Sequence, residues 1–432
     1  MSGAAVAGPS TRPRLWSRDF GLLVGGQVVS VVGSAVLRFA LDLYVLDMTG
    51  RADVFALVLA LSTLPGIVFT PIGGAIADRF SKRRLMVVLD AASAAVVAVL
   101  ICLMGAGWFP VPVVGLGLAA LCLVSSMYQP TVQSAVPALA PDERLADANG
   151  MVSGVGALSA LVGPVLGGVL YGLVGIETLL GASCVAFAAA AVMEVFVRIP
   201  FTKRLSGKSL TATLLGDVRE GLVFAWRGNP VVFRVIVLAC AVNLAATPVF
   251  VIGVPYILRF TLGSSDLMYG VGLGCTELAS VVGAVGAGLF TRRLRLAALN
   301  RPIWLIAALM VPMALAMTPA VLHLGYWPPF GLFFAFEIAA LVVCTAMSVY
   351  VITQIQKATP DAMLGKVMGL LMACAQVAAP LGQALYGLAF ETFSAAVWVP
   401  VLFASAAAAG IAVMAKPLLR NQATMPSASL PG

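Results

Sequence analysis

Three carboxyl side chains lie within long apolar stretches of this 432-residue chain, where a charge is costly. Glu337 stands in FFAFEIAAL, Glu277 in GCTELAS and Asp42 in LRFALDLY. A charged group at the centre of a membrane helix costs about 3 kcal/mol or more, so a carboxyl there has to be paired or protonated. No basic residue lies within one helical turn of Glu337 or Glu277. These two acids, with Asp42, are therefore our candidates for binding and releasing protons.

The other polar residues inside the apolar stretches each have two interpretations. Arg38 lies four residues before Asp42 on the same helix face, where the two can neutralise each other as a structural pair. Asp42 would still titrate if a substrate competed for Arg38. Asp90 and Glu194 lie nearer to helix ends, where a loop arginine can reach them, and we assign Asp90 to a cytoplasmic gate. Together with Arg38, three amides either line a cavity or simply join helices: Asn243, Gln376 and Gln383.

A short charged sequence, GGAIADRFSKRR at residues 73–84, follows the second apolar stretch. Gly74 and Asp78 are four residues apart on one helix face, where a glycine admits a neighbouring helix. Arg79 and Arg83 belong to a basic loop that the positive-inside rule places in the cytoplasm. We expect Asp78, Arg79 and Arg83 to latch a cytoplasmic gate; the alternative is a basic loop that only fixes topology.

The stretch GMVSGVGALSALVGPVLGG at residues 150–168 is rich in small residues. Small residues let membrane helices approach closely, and a proline bends a helix. We expect this helix to lie close to one from the other half of the protein and to seal a pathway when the cytoplasmic side closes. Ordinary small-residue packing is the alternative. The residues concerned are Gly150, Gly163, Pro164, Gly167 and Gly168.

The composition excludes a soluble globular protein, because 61% of the residues are hydrophobic and only 10% are charged. The formal net charge of +8 sets topology and attracts anionic lipid, and we expect no nucleic-acid partner. The 7 cysteines lie in apolar stretches without a Cys-x-x-Cys motif, and the single histidine lacks partners for a metal site. The sequence has no Walker A motif and no Gly-x-Ser-x-Gly motif. We therefore expect no enzyme, no cofactor and no metal.

Twelve apolar stretches are long enough to cross a hydrocarbon core of about 30 Å. An even number places both termini on one side, and the basic residues of both tails indicate the cytoplasm. The stretches are predicted at residues 20–46, 53–77, 85–107, 111–136, 150–174, 177–197, 231–256, 267–290, 302–324, 328–353, 366–389 and 394–415.

One long hydrophilic segment, residues 198–230, divides these stretches into two bundles of six. The N-terminal bundle covers 1–197, the C-terminal bundle 231–416, and a cytoplasmic tail 417–432. Within the linker, LLGDVREGLVFAW has helical periodicity and is predicted to lie along the membrane surface. The bundles share weak similarity, since VLGGVLYGL at 165–173 recurs as PLGQALYGL at 380–388. The predicted fold class is an all-α membrane protein with twelve transmembrane helices in two six-helix halves.

These motifs resemble those of a known family. The pattern Gly-x-x-x-Asp-Arg-x-Ser-Lys-Arg-Arg, from Gly74, resembles the loop between the second and third helices of major facilitator superfamily transporters, which have a glycine in place of Ser81. Residues 150–168 resemble the antiporter motif of the drug–proton exchangers, with Ser159 replacing one glycine. The segments DVREGLVFAWRGNP and QKATPDAMLGKVMGL are similar to the macrolide-efflux-like branch.

The resemblance implies a secondary active transporter of the bacterial inner membrane, a monomer with both termini in the cytoplasm. Its partners would be a small molecule, protons and the lipid bilayer. It would export a lipophilic or cationic compound, such as a drug, an antibiotic or a siderophore, by alternating access coupled to protons. A proton-coupled importer of a small nutrient and a non-transporting receptor or scaffold are the alternatives.

Overall fold

The computed structural model describes residues 17–141, 144–199, 220, 222–293 and 298–420. This part of the chain forms twelve long helices and no strand. The helices are α1 (Arg18–Thr49), α2 (Ala52–Arg79), α3 (Lys82–Gly105), α4 (Val111–Leu139), α5 (145–174), α6 (176–195), α7 (Pro230–Thr261), α8 (Asp266–Arg293), α9 (Asn300–Ala316), α10 (Trp327–Ala358), α11 (Asp361–Thr392) and α12 (Trp398–Arg420). Short helical turns occur at Phe224–Gly228, Pro319–Leu322 and Ser394–Ala396.

Helices α5 and α6 follow each other without a loop. Helical hydrogen bonding runs from Leu145 to Val195, and the backbone departs from helical geometry at Gly175, with φ 73° and ψ 172°. A positive φ is strained for residues with a side chain, so glycine allows the break between the two helices here. Gly50 ends α1 in the same way, with φ 61° and its backbone N–H donating to the carbonyl of Leu46.

The described helices account for the twelve predicted spans and confirm the predicted fold class. Nine segments are long and apolar enough to cross a membrane, and the longest of them contains both α5 and α6. Ala52–Ile67 of α2 and Asn300–Ala316 are shorter apolar helices. The predicted spans are too short where α10 and α11 meet. Helix α10 ends at Ala358 rather than at residue 353, and α11 begins at Asp361 rather than at residue 366. Both helices continue there into polar residues, which a prediction of membrane spans from hydropathy leaves out.

Hydrogen bonds between helix ends identify one side of the bundle. The backbone N–H of Arg198, after α6, donates to Asp19 at the start of α1. At the start of α7, Arg234 donates to the carbonyl of Leu418 in α12. We call this the terminal side, because the first and last described residues lie there. The opposite side, where α1 meets α2 and α7 meets α8, is the distal side.

Each half of the protein has its own apolar interior. In the N-terminal half, α1 packs on the α5–α6 segment and α2 packs on α4. In the C-terminal half, α9 packs on α12 and α10, and α8 packs on α10. Between the halves, α2 packs on α11 and α5 packs on α8. These two contacts are called the α2–α11 seam and the α5–α8 seam.

The distal part of α7 is irregular. It contains π-helical turns at Val249–Gly253 and Ile257–Thr261, close to Pro248 and Pro255. Proline has no N–H for the helical ladder, and π-helical turns occur frequently at functional sites. Here they lie where α7 approaches the boundary between the halves.

Candidate functional site: a cavity between the two halves

A cavity of about 650 Å³ lies between the two halves. Helices α1, α2 and α5 line it from one half, and α7, α8, α9, α10 and α11 line it from the other. Its volume falls in the range of roughly 300–1,000 Å³ that holds a drug-sized molecule. The wall is mainly apolar and includes four aromatic rings, those of Phe39, Phe55, Phe250 and Tyr269.

Two of the three predicted proton-binding acids line this cavity from opposite halves. Asp42 belongs to α1 and Glu277 to α8. Within the described residues, neither forms a salt bridge. Polar groups of the C-terminal half line the same cavity, including Asn243, whose side chain accepts a hydrogen bond of 3.2 Å from Thr247. The cavity therefore has a polar region within an apolar wall.

The third predicted acid, Glu337 on α10, is buried behind the cavity wall. Its side chain is 0% exposed, and neither carboxyl oxygen has a hydrogen-bond partner among the described residues. Its polar neighbours are Thr276 and Glu277 of α8, both of which line the cavity. An unpaired carboxylate in a protein interior is strongly unfavourable, which favours the neutral acid at this position. Glu277 and Glu337 thus form a pair of acids at the cavity edge.

Arg38 does not form the ion pair with Asp42 that its spacing predicts. The Asp42 carboxyl interacts with Arg38 only through space, and no salt bridge joins them within the described residues. Arg38 instead lines a second cavity of about 540 Å³, together with Gln376 and Gln383 of α11. Of the four predicted cavity-lining residues, Asn243 is therefore in the central cavity and the other three are in this second one.

On the distal side, an ionic network joins the two halves. Arg259 of α7 binds Asp47 of α1 through two hydrogen bonds, each of 2.6 Å. The same guanidinium donates to Asp266 at the start of α8, also at 2.6 Å. Tyr171 of α5 donates to Asp47 at 3.3 Å. We call these four residues the distal latch, because the Arg259–Asp47 contact crosses between the halves.

The α5–α8 seam depends on glycines of both helices. A methyl group added at Gly168 would lie 2.7 Å from the Cα of Gly270, and one at Gly172 would lie 2.8 Å from the Asp266 side chain. The corresponding distance at Gly274 is 2.3 Å, to the side chain of Val165. A side chain at Gly168 would require the helices to move, because the facing atoms are backbone, whereas one at Gly172 or Gly274 would require the facing Asp266 or Val165 side chain to shift.

Only part of the predicted small-residue motif faces the other half. Gly163 and Gly167 pack on Ala35 and Phe39 of α1, within the N-terminal half. An added methyl group at Gly150 would meet nothing within 4 Å. The prediction of close contact between halves therefore applies to Gly168 and to Pro164, whose carbonyl would lie 2.9 Å from a methyl group added at Gly270. Pro164 also lines the central cavity. The seam lies on the distal side, although the sequence interpretation linked it to closure of the opposite side.

The α2–α11 seam closes the distal side at a second place. A methyl group at Gly387 would lie 2.3 Å from Ala56 Cβ and 3.0 Å from the carbonyl of Ala52. The carboxylate of Glu391 accepts a 3.0 Å hydrogen bond from the backbone N–H of Ala52, at the start of α2. This bond satisfies one of the free amides at a helix N-terminus.

Asp90 differs from the prediction of a gate salt bridge. It is 1% exposed and accepts a 2.7 Å hydrogen bond from Ser30, and its acidic neighbour is Glu194. No arginine or lysine of the described residues forms a salt bridge with it. The helix end that carries Asp90 is packed inside the N-terminal half, so a loop arginine does not reach it.

The remaining gate residues lie at the terminal ends of α2 and α3. The surroundings of Gly74 and the side chains of Asp78 and Arg79 are outside the part of the chain that the structure describes. Arg83 is partly buried at the start of α3. Lys82 beside it donates to the backbone carbonyl of Ser134 in α4, which fixes this loop to the N-terminal half.

The end of the linker contacts the C-terminal half. Residues 200–219 and 221 lie outside the described residues, so the predicted surface helix is described only near its end. Glu220 forms a salt bridge with Lys366 of α11. The hydrogen bond from the Lys366 ammonium lowers the pKa of the Glu220 carboxyl below its usual range. The two groups lie on the terminal side.

Sequence reasoning did not identify the distal latch. Asp47, Arg259 and Asp266 lie at the ends of three different apolar stretches, which suggests separate interfacial charges rather than one network. One signal was available in the sequence. Basic residues are rare on that side of the predicted topology, and Arg259 is predicted there together with acidic residues at helix ends. Among the described residues, no group of three or more His, Cys, Asp or Glu side chains could hold a metal ion.

Two packed halves of six apolar helices each, with a drug-sized cavity between them, define a membrane transport protein. The family model of the Major Facilitator Superfamily matches residues 23–383, and the chain belongs to this superfamily. It is a multi-pass membrane transporter of small molecules rather than an enzyme.

The chain is similar to two curated bacterial proteins. It is 26% identical over 385 residues to macrolide efflux protein A of Streptococcus pyogenes, covering 86% of this chain and 89% of that protein. It is 25% identical over 383 residues to the multidrug efflux pump Tap of Mycobacterium tuberculosis, covering 85% of each. The chain therefore lies in the drug-efflux branch of the superfamily.

Solved structures share the fold at low identity. A mutant of the nucleoside transporter NupG superposes with a TM-score of 0.71 at 12% identity, covering 93% of this chain and 100% of that one. A bacterial homologue of the iron transporter ferroportin in its inward-facing state gives 0.65 at 16% identity, covering 91% and 98%. A bacterial ferroportin homologue in its outward-facing state gives 0.55 at 15% identity, covering 93% and 98%.

Proposed function

We propose that this protein exports a lipophilic or cationic small molecule in exchange for protons, by alternating access of the central cavity. The observation that carries the proposal is the cavity between the halves, which combines an apolar, aromatic wall with the carboxyls of Asp42 and Glu277. The two efflux proteins to which the chain is similar support this direction of transport.

The lining of the cavity favours a particular class of substrate. Rings such as Phe39 and Tyr269, which lie 5.6 Å apart between their centroids, offer flat apolar surface to a hydrophobic body. Asp42 and Glu277 approach from opposite halves and would attract a positively charged amine. A compound with both features, such as an amphiphilic drug or antibiotic, would contact both halves at once.

Proton coupling follows from competition at the same acids. A cationic substrate is bound best by ionised Asp42 and Glu277, and protonation of these acids would release it. Glu337 lies next to Glu277 and is buried without a partner among the described residues, so the two acids can pass or share a proton. One proton moving down about 100 mV supplies roughly 2.3 kcal/mol, which shifts a two-state equilibrium about fifty-fold.

The orientation proposed from the positive-inside rule makes the terminal side cytoplasmic. Lys82, Arg83 and Lys366 all lie on this side and support the assignment. The distal latch and both seams hold the halves together on the other side, which is then the outer face. The higher TM-score with the inward-facing ferroportin homologue than with the outward-facing one agrees with a cavity closed to the outside.

Export then requires the halves to exchange contacts between the two sides. The Arg259–Asp47 bonds and the glycine seams would separate as the outer side opens. Asp78, Arg79 and Arg83 would latch the cytoplasmic side in the outward-facing state, as the gate sequence predicts. We propose that a single chain carries out the cycle, because each half contributes one wall of the cavity.

The test begins with a pump-deficient bacterial host that expresses this chain. Its growth is compared across macrolides, lipophilic cationic dyes and neutral lipophilic compounds. We expect raised resistance to some compounds, and we expect Asp42→Asn and Glu277→Gln to remove resistance to the cationic ones preferentially. Equal sensitivity with and without the chain across the whole panel would contradict the proposal.

Everted membrane vesicles distinguish export from the alternatives. Under an imposed gradient with an acidic interior, an exporter that exchanges substrate for protons accumulates the compound inside the vesicles, and an uncoupler abolishes this. A proton-coupled importer would instead move the compound outward. A receptor would bind the compound without any gradient-dependent accumulation.

A further inference from the structure

A second cluster of acids lies inside the N-terminal half, away from the central cavity. Asp90 of α3 is 1% exposed and Glu194 of α6 is 0% exposed. Each has one oxygen held by a neutral hydroxyl donor: Ser30 donates to Asp90 Oδ1 at 2.7 Å, and Tyr128 donates to Glu194 Oε1 at 2.6 Å. Helices α1, α3, α4 and α6 thus converge on two carboxyls.

The two carboxyls interact electrostatically with each other, and each is held by a hydrogen bond within the same buried cluster. Their remaining oxygens, Asp90 Oδ2 and Glu194 Oε2, are fully buried and have no donor among the described residues. Two carboxylates side by side cannot both be ionised without a large repulsive cost. One proton between them removes one charge and supplies the missing donor for the other carboxylate.

Among the described residues, the cavity beside Asp90 is lined by neutral polar groups and by one cation, Arg38. Tyr128 and Gln129 of α4 and Ser93 of α3 are neutral, and in the described part of the chain no lysine or arginine forms a salt bridge with either acid. At the helix ends, the backbone of Arg198 is held by Asp19, and the Arg198 side chain is exposed.

A route for proton exchange adjoins the pair. Asp90 lines a cavity of about 270 Å³ in the N-terminal half, whose wall carries hydroxyls including those of Ser34 and Ser159. Arg38 enters the same cavity and also borders the second, 540 Å³ cavity between the halves. The cavity is roomy and polar enough for water molecules, which can carry protons between these groups.

We propose that Asp90 and Glu194 form a proton-binding pair that holds one shared proton in this conformation. The pair releases this proton into the adjoining 270 Å³ cavity, which Arg38 also lines. Binding of the proton at this site does not depend on a substrate. Release of the proton during each transport cycle rests on the proposed proton-coupled export. An approaching Arg38 guanidinium would stabilise the ionised pair and so trigger release.

A metal cation is the competing occupant, and the geometry disfavours it. The hydroxyls of Ser30 and Tyr128 donate to Asp90 Oδ1 and Glu194 Oε1, so one oxygen of each carboxyl is already engaged by a hydrogen-bond donor rather than free to coordinate a cation. An added methyl group at Gly26 would lie 3.3 Å from Glu194 Cγ, so α1 is tightly packed on this side chain. A proton needs no such room.

The test is infrared difference spectroscopy of the purified full-length protein in lipid bilayers, with the pH changed stepwise. We expect a carbonyl band of a protonated carboxylic acid that disappears at alkaline pH. Glu194→Gln and Asp90→Asn should each remove this band. Tyr128→Phe should retain it and increase the proton affinity about tenfold, because a donor to the ionised form is lost. A merely structural acid would show no such titration.

Two results would overturn the proposal. One is a set of pH difference spectra in which neither substitution removes a carboxylic-acid band. The other is loss of the band on addition of Na⁺ or a divalent cation at constant pH, which would assign the site to a metal ion. Thermal unfolding of the two variants checks that they are folded. The spectra do not require transport, so a failure to export any compound would leave the band in place.

Discussion

Loss of the charge on Asp47 should shift the protein towards a state that is open on the distal side. The Arg259–Asp47 pair has two bonds of 2.6 Å between side chains that are 21% and 23% exposed. Hydrogen bonds between charged groups contribute about 1.5–3 kcal/mol, and partial exposure places this pair towards the lower end, at about 2 kcal/mol. Asp266 should keep its contact with Arg259 in both states, because both residues belong to the C-terminal half. Asp47→Asn should therefore raise the ratio of distal-open to distal-closed molecules roughly thirty-fold.

The assay is a distance measurement across the distal side. Spin labels at Trp108 and Leu324, which are exposed on distal loops of the two halves, would report the separation in a cysteine-free background. We expect the longer distance to become populated in Asp47→Asn. The matched control is Asp53→Asn, because Asp53 forms a salt bridge with Arg51 of its own half on the same side. Identical distance distributions for the wild type and Asp47→Asn, or an equal change in the control, would refute the latch.

Three further predictions concern the acids, the seam and the gate. Glu337→Gln should abolish proton-driven accumulation in vesicles while the exposed control Glu177→Gln does not; unchanged accumulation would remove Glu337 from the mechanism. Gly168→Ala should weaken distal closure by about 1–3 kcal/mol through overpacking against α8, measured with the same spin labels, whereas Gly150→Ala should change nothing. Asp78→Asn should slow turnover in vesicles several-fold, and a wild-type rate would indicate that the loop only fixes topology.

The membrane architecture could be predicted from the sequence because a bilayer imposes a local requirement. Each span needs about 20 apolar residues in succession, whatever its neighbours in space. The same cost of burying charge identified Glu277, Glu337 and Asp42 from their apolar surroundings alone. The structure places two of these acids in the central cavity and the third directly behind its wall.

Pairing was much less predictable. Arg38 and Asp42 have the spacing of an ion pair within a helix, yet Arg38 lines a different cavity from Asp42. Asp90 was expected to meet a loop arginine and instead neighbours Glu194 from a distant helix. Helical spacing defines only which residues share a face, and the neighbour across that face comes from whichever helix packs there.

The sequence by itself determined the number of spans, their order and the presence of costly acids within them, because these depend on short runs of residue types. Only the tertiary structure decided which charges meet. Arg259 and Asp47 are 212 residues apart, and their contact exists because α7 and α1 reach the distal boundary at the same place. The same is true of the glycine seams, since close approach depends on two helices at once and no single stretch of chain records its partner.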